Sequence, residues 1–126
     1  MYYMTARADS RVKRVISISG VSDLTQAYYD RDDMKKILTN FIGGTPDNKP
    51  EEYEKRSAIC WADEINIPVL IIHSTDDKQV SYSQAEKMYN KLVENGTEVT
   101  IKTYNDSNHG LHSGDATLIK NWIEGN

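Results

Sequence analysis

A chain of 126 residues can bury one core of its own, yet an isolated α/β enzyme domain ordinarily needs more, so the length predicts one domain or part of one. With 15 basic against 19 acidic residues and a pI near 5.3, no broad cationic field awaits a polyphosphate backbone, which argues against nucleic acid as a partner. No apolar run approaches the roughly 20 residues that cross a bilayer. The expectation is a soluble chain without a membrane partner, cytoplasmic if complete at its N-terminus and of unknown compartment otherwise, because Met1-Tyr2-Tyr3-Met4 lacks the pattern of a secretory signal.

In chain order, Tyr2 to Ala8 reads as a short helical remnant, and Val12 to Ser19 as a Val- and Ile-rich strand ended by Gly20 and the turn chemistry of Ser22-Asp23. From Asp32, the apolar residues Met34, Ile37, Leu38, Phe41 and Ile42 recur at helical spacing behind two aspartates, and Gly43-Gly44 supplies the stop. Pro50 suits the first position of a short helix running through Arg56. Both helices read as an excursion over a sheet edge. Cys60 stands alone, which excludes an internal disulfide and a thiolate metal site, and reads as a packed, inert thiol.

Val69 to His73 is mostly apolar, as expected of a strand buried on both faces at the centre of a parallel sheet. After it, Ser81 with Gln84, or Ser83 with Glu86, forms a capping box. Ala85, Met88, Tyr89, Leu92 and Val93 make the apolar stripe of a crossover helix that Asn95-Gly96 closes. Val99 to Tyr104 largely alternates apolar and polar side chains, like an edge strand, and Leu118, Ile119, Trp122 and Ile123 mark a final helix covering the sheet. The alternation of strand and helix implies an α/β fold of three parallel strands, in sequence order, with right-handed crossovers and flanking helices.

In such sheets ligands sit beyond the carboxyl ends of the strands. Asp77 and His109 both fall there, one after the second strand and one after the third. Acyl transfer needs a base that takes a nucleophile's proton and an acid that fixes the base's tautomer, and His109 and Asp77 suit these roles in that order. Singly, each is better read as a surface loop residue; together they form a constellation. Gly110 would let the loop turn tightly enough to aim the ring back over the strand ends. His73 reads as a packed, hydrogen-bonded histidine, since no second ligand stands near it in a coordinating pattern; no metal or other cofactor is expected.

The stretches VISISGVSDL, INIPVLIIHSTDDKQV and YNDSNHGLHS resemble the C-terminal part of the catalytic domain of prolyl oligopeptidase-like serine peptidases, of the acylaminoacyl and dipeptidyl peptidase types. The resemblance implies a partial α/β-hydrolase fold whose upstream half is missing, residues 1–126 forming the C-terminal portion of one such domain. The family pattern His-Gly-x-x-Asp-x-x-Val sets its acid on Asp77, not Asp76, and Gly-His-Gly sets its base on His109. Ser74 and Asn108 replace two of the glycines. The resemblance also places Met1 inside the helix that follows the nucleophile. Consistent with this, no Gly-x-Ser-x-Gly or Gly-x-Cys-x-Gly occurs in the chain, so the strained turn that presents a nucleophile is not encoded.

No other residue suits the nucleophile's place. Cys60 has no flanking glycines, Ser19 fails the pattern on both sides, and Ser22 has Gly20 before it but Leu24 after it; all three are rejected. Tyr28, Tyr29 and Tyr53 suit a half-buried helix boundary better than an aromatic substrate pocket. The expectation is therefore a serine-peptidase segment carrying acid and base but no nucleophile, inactive alone, whose intact parent acts on a peptide or ester substrate. The first strand, having lost a neighbour, should pair with a second copy or another chain. The alternatives are a non-catalytic interaction module that keeps the pair as a relic, or a segment of an esterase. A flavodoxin-like domain is disfavoured, because no phosphate-cradling loop follows the first strand.

Overall fold

The computed structural model describes residues 2–125. Its centre is β2 (Val69–Ser74), in which all six residues are buried. A run of β-branched and aliphatic residues with no polar alternation has no face suited to water, so it is stable only with cover on both sides. β1 (Val15–Ile18) and β3 (Val99–Tyr104) flank it in parallel, giving the order β1-β2-β3. Val15 pairs with Val69 and Ile18 with Ile72; on the other side Val69 pairs with Val99 and Ser74 with Tyr104. The predicted order, direction and central strand are all present.

Seven further elements surround the sheet. α1 (Tyr2–Ala8) precedes β1, while α2 (Leu24–Asp30), α3 (Asp32–Ile42), α4 (Pro50–Lys55) and a 3₁₀ turn (Ala58–Glu64) lead from β1 to β2. α5 (Tyr82–Glu94) makes the β2-to-β3 crossover, and α6 (Asp115–Glu124) ends the chain. Ala85, Met88 and Leu92 of α5 recur one helical turn or two apart and join Val15, Val69, Ile71, Trp61 and Ile65 in one cluster. Burying a side chain such as Met88 or Leu92 contributes about 1.5–3 kcal/mol.

Several boundaries differ from the sequence reading. β1 begins at Val15 rather than Val12, because its ladder starts where the Val15 N–H donates to the Pro68 carbonyl. Ser22-Asp23, read only as a turn, opens α2, with the Asp23 carboxylate accepting from the Gln26 N–H at 3.0 Å. The capping box at Ser81 is half made. The Ser81 hydroxyl accepts from the Ser83 N–H, but the Gln84 side chain turns inward and accepts from the N–H groups of Ser22 and Asp23. Those two amides are otherwise bare at the end of β1, and a long-range bond to them outweighs a local one.

Cys60 also departs from expectation: it is exposed, not packed. In the short 3₁₀ turn Ala58, Trp61 and Ala62 face the core, which leaves Cys60 on the outer side. Desolvation, with the charges of Asp23 and Glu54, still raises its thiol pKa above the usual value. α3 ends as predicted, at Gly43 with φ +93°. Only Leu38 of its stripe is buried, however, while Ile37 and Phe41 are 56% and 75% exposed. On α6, Leu118, Ile119 and Trp122 are half-buried.

Candidate active site

The site lies at the carboxyl end of the sheet, where two loops run side by side because the β2–β3 ladder continues beyond the strands. The Thr75 N–H donates to the Tyr104 carbonyl at 2.8 Å and the Asp76 N–H to the Asp106 carbonyl at 3.0 Å. This zipper draws residues 75–80 toward residues 105–110 and sets Asp77 and His109 opposite one another, although they lie 32 positions apart.

Asp77 is held by its own loop. Its Oδ1 accepts from the N–H groups of Gln79 and Val80 at 2.8 and 2.9 Å, the local bonding that makes aspartate a turn residue. Its Oδ2 lies 2.8 Å from His109 Nδ1, and its side chain has no solvent exposure. Burial pushes the Asp77 carboxyl up; the Val80 N–H, His109 and the Gln79 N–H together outweigh this and hold it below the ordinary carboxylate range. Asp76 points away and pairs at the surface with Lys78. Of the two adjacent aspartates, Asp77 is therefore the one that faces His109.

His109 presents Nδ1 to a carboxylate, so that nitrogen carries the proton and Nε2 is left with its lone pair. A third of its side chain is exposed (32%), so the ring is open to solvent. Gly110 has φ +128°, a backbone conformation that side chains resist. Its N–H donates to the Ser19 hydroxyl at 3.1 Å. Ser19 has φ +54° and is buried at the end of β1, so this serine braces the histidine loop. Ser22 is buried too, and its hydroxyl donates to the Gln84 carbonyl.

His73 is packed and hydrogen-bonded as predicted, with only 1% exposure. Its Nε2 lies 2.8 Å from the Val80 carbonyl, an acceptor, so Nε2 carries the proton. The same nitrogen is 3.6 Å from Asp77 Oδ2. It supports the turn that presents the aspartate. Tyr28 and Tyr53 stack edge to face, 6.0 Å between ring centroids, and Tyr53 donates to the Gly44 carbonyl. They brace α2 against α4.

A cavity of about 240 Å³ opens beside His109, lined by Val21, Ala27, Met34 and Val80, with Asp30, Arg31 and Gln79 among the polar groups at its wall. The sequence reading missed this hollow because its walls come from four separate segments. It also missed His112. That ring stacks on Tyr104, with 3.7 Å between centroids and 5° between planes, and its Nε2 lies 2.9 Å from the Asp106 carboxylate. The hint was a histidine with aspartates six residues before it and three after. Among the described residues no cluster of His, Cys, Asp or Glu is placed to hold a metal ion, and no helix is long and apolar enough to cross a membrane.

A parallel sheet with an aspartate after one strand and a histidine after the next, joined side chain to side chain, is the arrangement of one part of an α/β-hydrolase. Residues 1–123 match the model of the prolyl oligopeptidase family, and the chain belongs to that family. It is 34% identical over 94 residues to the uncharacterized peptidase YtmA of Bacillus subtilis, a match covering 75% of this chain and 37% of that one. Among solved structures, it resembles an acylaminoacyl peptidase bound to Z-Gly-Gly-Phe-chloromethyl ketone, with TM-score 0.83 and 26% identity, over 95% of this chain and 21% of that one. It also resembles a puromycin-hydrolyzing peptidase of Mycobacterium tuberculosis, with TM-score 0.76 and 26% identity, over 84% of this chain and 16% of that one. The chain therefore spans a minor part of the length of these relatives.

Proposed function

We propose that this chain is the acid–base segment of a serine-type hydrolase of the peptidase kind, with His109 as general base and Asp77 as the residue that orients it. The carrying observation is the 2.8 Å contact between His109 Nδ1 and a buried Asp77 Oδ2, with the second carboxylate oxygen held by two backbone N–H groups. That geometry fixes the tautomer. His109 Nε2 accepts the proton of an attacking serine hydroxyl, the imidazolium that forms is stabilised by the Asp77 carboxylate, and the same proton then passes to the leaving amine or alkoxide. The cavity beside His109 accepts an apolar side chain of the substrate.

The nucleophile is not encoded here, since no Gly-x-Ser-x-Gly occurs. The usual oxyanion donor just after that serine is missing with it, so the chain alone is inactive. A fluorophosphonate probe tests this: the purified chain should remain unlabelled, and stoichiometric labelling of a serine would overturn the proposal.

One observation favours a second reading, an interaction module. The Val15 and Ser19 N–H groups point toward β2, donating to the carbonyls of Pro68 just before it and Ile72 within it, so by alternation those of Ile16 and Ile18 point to the opposite edge, where no strand lies among the described residues. In this reading the free edge of β1 takes up a strand from a second copy or another chain. Sedimentation as a monomer across the micromolar range would argue against pairing with a second copy.

A further inference from the structure

The base of the proposed pair sits in the connection between β3 and α6, spanning residues 105–114, and a base that must meet a reacting hydroxyl has to be held to about half an ångström. Asp77 fixes the ring and Ser19 fixes the neighbouring amide, but neither holds the two ends of the connection together. His112 does. Its Nε2 lies 2.9 and 3.1 Å from the two oxygens of Asp106, where the connection leaves β3, and 3.4 Å from the hydroxyl of Ser74, the last residue of β2. Its backbone N–H donates at 2.7 Å to Asp115, the first residue of α6, whose side chain is fully buried. The other oxygen of Asp115 accepts from the Tyr104 hydroxyl at 2.5 Å, and the His112 ring lies flat on the Tyr104 ring.

Four of these five residues bracket His109 in sequence, and Ser74 ties them to the strand that presents Asp77. We propose that His112 is a positioning residue for His109: clasped between Asp106 and Asp115 and stacked on Tyr104, it closes the connection so that the His109 ring lies on Asp77. The inference rests on reading Asp77 and His109 as an acid–base pair. It differs from a general packing role, because loss of the clasp displaces His109 while the apolar core cluster built on Val69, Ile71, Met88 and Leu92, of which His112 is no part, stays intact.

The test is proton NMR of the purified chain. A histidine Nδ1–H donated to a buried carboxylate gives a strongly low-field resonance, here assigned by its loss in His109→Gln. The wild-type chain should show it. His112→Ala should lose that resonance while keeping the dispersed methyl signals of the core, and His112→Gln, whose side-chain amide can still donate to Asp106, should recover most of its intensity. Should His112→Ala not fold, Asp106→Ala at an exposed position serves in its place and should at least halve the signal. An unchanged resonance in the folded variant would overturn the clasp. A wild-type chain without the resonance would instead remove the acid–base pair beneath it.

Discussion

At the carboxyl end of the sheet Asp77 uses both oxygens, His73 and His109 each have a partner, and the Gly110 amide is met by Ser19. Elsewhere, α3, whose Met34 lines the cavity beside His109, shows water Ile37 and Phe41, and the outer edge of β1 meets no strand among the described residues. The polar groups of Asp77, His73 and Gly110 have partners at the first end, where the buried His112 Nδ1 has none; apolar side chains and a strand edge are open in the second. The contrast teaches that the acid–base end is built from bonds internal to this chain, whereas α3 and the β1 edge leave apolar side chains and backbone groups open.

The largest expected effect breaks the core beneath both regions. Leu92→Ala, at a fully buried position, should cost about 2–5 kcal/mol in denaturant unfolding. A cost below 1 kcal/mol would mean that α5 does not anchor the sheet. Next comes the closed end. Asp77→Ala strips partners from two amides and a histidine and should cost about 1–3 kcal/mol. The Asp77 carboxyl is held below its ordinary range, so its contribution is full above about pH 4, where the unfolded carboxyl is also ionised, and falls as pH drops through the lowered folded-state value. The stability gap between wild type and Asp77→Ala should therefore shrink from pH 7 to pH 3, and a gap that widens would refute the carboxylate's role.

A smaller effect separates strain from bonding at Ser19. Ser19→Ala keeps the left-handed backbone and loses the acceptor for Gly110, costing about 1 kcal/mol. Ser19→Gly loses the same acceptor but relieves about 1 kcal/mol or more of left-handed strain, for a net change near zero. Equal losses in the two variants would remove the argument that backbone strain is held there. The smallest effect lies on the open side: Phe41→Ser should move stability by no more than about 0.5 kcal/mol while lowering any self-association seen by sedimentation.

Much of this contrast was legible in the sequence. A short, mostly apolar run in an alternation of strands and helices suits a central strand, so Val69 to His73 was readable, one residue short of β2, and with it the parallel order. The positions of Asp77 and His109 beyond the ends of β2 and β3 were readable because strand ends are local features. Three-dimensional partners were not. Gln84 looked like half of a capping box until the distant amides of Ser22 and Asp23 claimed it. Cys60 looked buried because its neighbours are apolar, yet a 3₁₀ turn rotates them inward and leaves it outside. The stripe on α3 looked like core, but periodicity identifies an apolar face without saying what covers it.

The central claim is that Asp77 and His109 form a working acid–base pair. Its most direct test is a chimera in which this chain replaces the matching segment of an active full-length family member that carries its own serine. The account predicts that the chimera hydrolyses its substrate and that His109→Ala and Asp77→Asn each lower kcat/KM by about 10²- to 10⁴-fold. An active chimera whose rate is unchanged by either substitution would contradict it.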